Sequence, residues 1–380
     1  MENDSTMAGM NHISDAHTSD MHTSDFNAAL DGAAAAELPL SVTIRPLDQA
    51  LDQWNELIQA SGNATLFHTP AWAQVLRRAY GFRVLAATIE RRGKVLAGCL
   101  LARTRNPFER RFVGLPFSDS CPPLGIDEDA IAALMRGLTA EPRLGGNLEI
   151  RGIRAPAPWQ TIDYFEQWSI DLARPFAEIQ RAADRNFRRQ VKHAAAAAFK
   201  IETGDSAAML SRFYAIQLET RRRLGVPPQP MRFFSRVRET FAQEAHGLEV
   251  WLASSAGRDQ AVVVLLRDGP RLYAKWSART AENAAGASHL LFSAILEHHA
   301  GKAASLDLGR TDSRNRGLTR FKAEMGATPA PLPYSYFPRT PRSASAEDPD
   351  RSTGALARIW RRLPLPVTRA VGAIAYGYLA

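Results

Sequence analysis

Two cysteines in 380 residues, Cys99 and Cys121, are too few and wrongly spaced for a disulfide framework or a zinc site. Cys99 lies in the apolar run Val95 to Leu101 and reads as a buried structural thiol. Long apolar runs are missing too. The uncharged stretch after Arg369 falls far short of the ~20 residues that a membrane span needs. No Walker loop, zinc spacing, nucleophile elbow or Rossmann fingerprint occurs, which removes the commonest nucleotide, metal and serine-hydrolase chemistries. The first 38 residues are acidic, rich in His and Ser, and lack the apolar segment of a signal peptide, so a cytoplasmic protein is expected.

What is present is globular in character, with 45% hydrophobic and 23% charged residues. Lys and Arg number 47 against 39 Asp and Glu, a formal charge of +8. That balance favours an anionic partner (a phosphorylated small molecule, a nucleic acid, or an anionic membrane surface) without choosing among them.

Residues 1–38 read as a disordered tail, with His-Thr-Ser-Asp repeated at 17–20 and 22–25 and no apolar period. From Ser41 strands and helices alternate. Asp48 is placed to cap a helix running to about Ala60, and Thr69-Pro70 marks a second helix start. Strands are expected at about 83–90, 94–104, 111–115, 148–153 and 164–172, with a helix at 127–140. A second stretch gives a helix at 186–199, strand 200–203, helices 206–223 and 231–245, and strands 248–255, 260–267 and 271–279. A helix at 287–300, strand 305–308, helix 315–325 and strand 332–337 follow. Meander, helix, strand, helix, strand is the order of a GNAT-type acyltransferase core, and the first half gives a shorter version. The expected layout is a tail (1–38), a first GNAT-like domain (41–173), a second, catalytic one (175–338), a linker (339–353) and a basic, apolar tail (354–380). That last tail, with Arg358-Ile359-Trp360-Arg361-Arg362, fits either attachment to an anionic leaflet or packing on the protein's own surface.

Three groups of residues carry candidate chemistry. Arg185, Arg188, Arg189 and Lys192 stand at i, i+3, i+4 and i+7 of one helix, a stripe suited to phosphate groups or simply a solvated basic face. Lys322 falls on the apolar side of the 315–325 helix with Leu318, Phe321 and Met325. Its ammonium must snorkel to the stripe's edge or stabilise negative charge in a cleft. Asp307, near a strand end, is a candidate to deprotonate an amine, or it pairs only with Arg310, while Asp312 is a candidate helix cap. Tyr273, Lys275 and Ser277 alternate onto one face of the preceding strand and are expected to line the same cleft. His298, among Leu290, Leu291, Ala294 and Ile295, reads as a core histidine.

Asp307-Leu308-Gly309-Arg310, then Gly317-Leu318 and Phe321-Lys322-Ala323-Glu324-Met325-Gly326-Ala327, resembles the closing motif of FemAB-like proteins. Further echoes are Leu66-Phe67-His68-Thr69-Pro70-Ala71-Trp72, Gly114-Leu115-Pro116-Phe117-Ser118, Lys192-His193-Ala194 and Thr220-Arg221-Arg222-Arg223-Leu224-Gly225-Val226-Pro227. The ordered set looks most like the FemAB-like subgroup associated with PEP-CTERM/exosortase and exopolysaccharide systems. The resemblance implies an α/β fold of two tandem GNAT-like domains with a substrate cleft between or beside them. It implies transfer of an acyl or aminoacyl group onto an amine of a cell-envelope or exopolysaccharide precursor, at the inner face of the cytoplasmic membrane. By the same analogy Lys322 and the basic helix would hold pyrophosphate or stabilise the reacting carbonyl, with Arg310 and Asp312 beside them. The donor would be acyl-CoA or aminoacyl-tRNA, with no permanently bound cofactor and no metal. Two departures stand out. The helical-hairpin insertion of some Fem enzymes has no counterpart, and Asn283-Ala284-Ala285-Gly286-Ala287-Ser288 matches the pyrophosphate loop of acetyl-CoA users poorly. An acyl-CoA-dependent N-acetyltransferase and an idle module that binds a phosphorylated lipid or sugar are the competing readings.

Overall fold

The computed structural model describes residues 41–105, 110–242, 246–281, 286–340 and 354–378. The 1–38 tail, Asn283–Ala285 and most of the 339–353 linker lie outside the described residues. In chain order the first elements are β1 (Val42–Pro46), α1 (Leu51–Ser61), α2 (Pro70–Tyr80), β2 (Val84–Arg91), β3 (Lys94–Arg103), β4 (Arg111–Val113) and β5 (Leu124–Gly125). Next come α3 (Glu128–Ala140), β6 (Asn147–Arg151), β7 (Gln160–Ile162), β8 (Phe165–Asp171), α4 (Phe176–Ala182), α5 (Arg185–Ala196), β9 (Lys200–Gly204), α6 (Ala207–Leu224) and α7 (Met231–Phe241). Then follow β10 (His246–Ser255), β11 (Arg258–Asp268), β12 (Arg271–Arg279), α8 (Ala287–His299), β13 (Ser305–Asp312) and α9 (Arg316–Glu324). The chain closes with β14 (Thr328–Pro331), β15 (Tyr334–Phe337), α10 (Ala355–Trp360) and α11 (Leu365–Ala375).

Local chemistry sets many of these boundaries. The Thr69 hydroxyl accepts the Trp72 N–H, Pro70 takes the first helical position, and Gly81, at φ +70°, ends α2. Asp127 caps α3 by accepting the Ala130 N–H, and Ser206 does the same for α6 at Met209. Asp48 does not cap α1: it sits in a short 3-10 turn, and α1 starts after Ala50 with no side-chain cap. His298 is exposed, and the core histidine is its neighbour His299, whose Nε2 lies 3.0 Å from Glu249 Oε2.

Two mixed sheets flanked by helices result. One runs β1-β2-β3-β4-β6-β15-β7, with β5 beside β3, and the other runs β14-β8-β13-β12-β11-β10-β9. Each sheet has a single parallel pair among the described strands, β4 with β6 and β12 with β13. The sheets also exchange strands. β8, from the first half of the sequence, pairs with β13 and β14, and β15, from the second half, lies between β6 and β7. The ranges 41–173 and 175–338 therefore do not coincide with the two sheets. One core joins both halves, with Trp54, Phe67 and Trp72 packed in the same cluster as Phe213, Phe233 and Trp276. No helix among the described residues is long and apolar enough to cross a membrane.

Candidate active site in the opening between two strands

Strands β12 and β13 pair in parallel only over Arg271–Tyr273 and Ser305–Asp307. Beyond that point they part, and a cleft of about 1150 Å³ occupies the opening. Lys275, Ser277, Leu308, Gly309 and Arg310 line it from the two strands, Lys322 and Leu318 from α9, and Gly286, Ser288 and His289 from the start of α8. The N-terminus of α8 thus presents its orphan backbone N–H groups to the cleft, a favourable place for an anion.

A bulge sends Lys275 into this space. Val264 pairs with Trp276 and Leu265 with Ala274, so Lys275 is the residue skipped in the ladder. Its Nζ donates to Asp119 Oδ2 at 2.8 Å and lies 4.8 Å from the centre of the Phe67 ring. Burial works against ionisation of Asp119, but the charges of Lys275, Arg310 and Lys322 outweigh it and hold the carboxyl below its ordinary range. Lys322, almost fully buried, donates to the Gly309 carbonyl at 2.8 Å. Arg310 packs 4.5 Å from the centre of the Phe165 ring and donates to the Tyr334 hydroxyl at 3.5 Å.

Asp119 arrives from the segment following β4. Leu115 and Phe117 there both have left-handed backbones, at φ +52° and +62°, which costs free energy unless neighbours enforce it. They do. The Trp72 indole N–H donates to the Ser118 hydroxyl at 2.9 Å, Arg151 donates to the Ser118 carbonyl at 2.8 Å, and the Tyr334 hydroxyl donates to the Asp119 carbonyl at 2.8 Å. His68 completes the clamp. Its Nδ1 accepts the Thr65 N–H at 2.9 Å, so Nε2 carries the proton and donates to the Pro122 carbonyl at 2.8 Å. Complete burial lowers the His68 pKa to about 4. The Leu66–Trp72 motif therefore holds the Asp119 segment and supplies the ring beneath Lys275.

The structure sorts the sequence-derived candidates. Lys322, Lys275 and Arg310 meet in the cleft, joined by Asp119, Arg151 and His289. Tyr273 and Asp307 are paired with each other at the apex, where the strands are still joined, and neither lines the opening. Asp307 accepts the Gly309 N–H at 2.6 Å and the Gln167 amide at 2.5 Å; burial lifts its pKa to about 6. Tyr273 accepts the Leu66 N–H at 3.3 Å, and burial raises its hydroxyl to about 12. Asp312 does not cap α9: its carboxylate holds Arg314, and Asn315 accepts the Leu318 N–H instead. Arg185, Arg188, Arg189 and Lys192 are exposed on α5, and none of them lines the cleft. Arg188 donates to the Gln180 and Arg181 carbonyls at 3.4 and 3.1 Å, and Arg189 to the Asn186 side chain at 2.7 Å. Arg221, Arg223 and Arg279 line the cleft instead.

Residues 180–323 match the family described as acetyltransferase (GNAT) domain. Among solved structures, FemX superposes with a TM-score of 0.58 at 12% identity, over 75% of this chain and 95% of that one. L-PGS from Bacillus licheniformis gives 0.50 at 12% identity, over 77% and 93%. A tandem GNAT protein from the clavulanic acid biosynthesis pathway gives 0.49 at 12%, over 78% and 98%. No curated protein matches the sequence. At such identities the likeness to FemX and L-PGS is one of fold.

Proposed function

We propose that the protein is an N-acyl or aminoacyl transferase acting on an amine of a cell-envelope or exopolysaccharide precursor, from the cytoplasmic side of the membrane. The observation that carries this reading is the cleft between β12 and β13, which Lys322, Lys275, Asp119 and the start of α8 line together. Arg221, Arg223 and Arg279 in the same lining add positive charge suited to a phosphorylated donor or acceptor. The amine nitrogen attacks the donor carbonyl and forms the C–N bond. Charge developing on the carbonyl oxygen is stabilised by the Lys322 ammonium. Collapse breaks the C–S bond of an acyl-CoA or the C–O bond of an aminoacyl-tRNA, and the proton leaving nitrogen ends on the departing sulfur or oxygen. Asp119, kept ionised, orients the amine. Asp307 acts one step back, fixing the Gly309 turn whose carbonyl receives Lys322. The resemblance to FemAB-like proteins of PEP-CTERM systems supports an exopolysaccharide-type acceptor.

The match to the acetyltransferase domain favours acyl-CoA as the donor in a second form of the same reading. Product formation from acetyl-CoA, longer acyl-CoAs and aminoacyl-tRNA, with UDP-sugars and a UDP-muramoyl peptide as acceptors, tests both. Lys322→Met is expected to lower turnover by about 10²- to 10³-fold, with the melting temperature held to within a few degrees. Full turnover in that variant would refute the role of Lys322. Ligand-induced stabilisation without product from any donor would instead leave a module that binds a phosphorylated lipid or sugar.

A further inference from the structure

Of the eight large apolar side chains exposed among the described residues, five lie between Ile359 and Tyr378. They are not scattered. Val367, Ala370, Val371 and Ile374 stand at i, i+3, i+4 and i+7 on the outer side of α11, and Tyr378 continues the line. The inner side is anchored: Thr368 and Gly372 are buried, Arg232 donates to the Ala373 carbonyl at 3.0 Å, and Arg361 donates to the Arg223 carbonyl at 3.1 Å. The helix is thus held in place with its apolar stripe facing solvent, where a helix's polar side belongs. Four arginines (358, 361, 362 and 369) and no acidic residue occupy 354–378.

We propose that this segment docks the protein on a membrane leaflet that carries anionic headgroups. Apolar side chains entering the headgroup boundary, with the exposed Arg358, Arg362 and Arg369 at the level of the phosphates, satisfy both halves of the surface at once. A second copy of the chain satisfies only the apolar half, because it brings a like basic surface, with no acidic residue in this segment, against the arginines. The 11 residues of α11 extend about 16 Å, too short to span a bilayer, so attachment is shallow. The same segment carries Tyr376 into the cleft wall, 5.1 Å ring to ring from Phe117. Docking therefore brings the cleft to the membrane surface and suits a lipid-linked substrate, a step that rests on the transferase reading.

Co-sedimentation of the full chain with phosphatidylcholine vesicles, and with vesicles containing 30% phosphatidylglycerol, tests the docking without any need for activity. Binding to the anionic vesicles, weakened by salt and weak on pure phosphatidylcholine, is expected. Arg358→Ser with Arg362→Ser should weaken it about 30-fold, at about fivefold per arginine. Val371→Glu with Ile374→Glu should abolish it while the melting temperature is kept. No binding to either vesicle would overturn the proposal, as would equal binding by the wild type and both variants. Concentration-dependent dimers lost in the glutamate variant, without vesicle binding, would assign the stripe to self-association and overturn it too.

Discussion

Removing Asp119 and removing Lys275 should have unequal effects, and the inequality follows from burial. The Lys275 side chain is 6% exposed and that of Asp119 26%. Asp119→Ala strands an ammonium in the protein interior, a situation that typically costs about 3–5 kcal/mol. The Phe67 ring, 4.8 Å away, returns about 1–2 kcal/mol of that. A net loss of about 2–3 kcal/mol is expected. Lys275→Met leaves a carboxylate that water reaches and that Arg310 and Lys322 still face, so its cost should be nearer 1 kcal/mol. The double variant should then resemble Lys275→Met alone, giving a coupling energy of about 2–3 kcal/mol. Urea unfolding of the four proteins, followed by tryptophan fluorescence, measures the cycle. Additive losses, or a costlier Lys275→Met, would refute the assignment of Lys275 as the buried, dependent partner. Turnover supplies a second reading, since both single variants should lose activity even where stability is restored.

His68 makes stability pH-dependent in a definite direction. Its folded pKa of about 4 lies below the unfolded value of 6.5, so its contribution is fully present above about pH 6.5 and is lost as pH falls toward 4. The full loss is about 3 kcal/mol. His68→Asn keeps an acceptor for the Thr65 N–H and should flatten this limb of a stability-against-pH curve; an unchanged slope would exclude His68 as its source. Arg188→Ala, which removes a link between α4 and α5, should cost less than about 1 kcal/mol. It should leave ligand affinity at the cleft unchanged by calorimetry, whereas a large affinity loss would return the basic helix to the site.

Much of the fold was legible because its signals are local. Thr69-Pro70 announces α2 within two residues, and the apolar period of 315–325 places Lys322 on the inner face that it occupies. Other signals were misleading for physical reasons. The α5 stripe identifies a basic face, but periodicity alone cannot say whether that face meets a cleft or solvent. Here Phe187 and Ala194 take the protein side and turn the arginines outward. Alternation along β12 groups Tyr273 with Lys275, yet the strands part between them, so one closes the apex and the other lines the opening. Asp119 gave no signal. It lies in an irregular segment, and Lys275, the partner that gives it meaning, is 156 residues away in sequence.

The exchange of strands has a consequence for synthesis. Strand β15 fills the place between β6 and β7, so those two strands do not meet each other and keep bare edges until Phe337 leaves the ribosome. At about 5–20 residues per second, that wait is roughly ten to thirty seconds. Strand β8 waits similarly for β13. Unpaired edges invite strands from other chains, so the nascent first half is the stage at which a chaperone matters most. Cutting the gene between β8 and α4 would make that exposure permanent, leaving each fragment without a strand that only the other can supply.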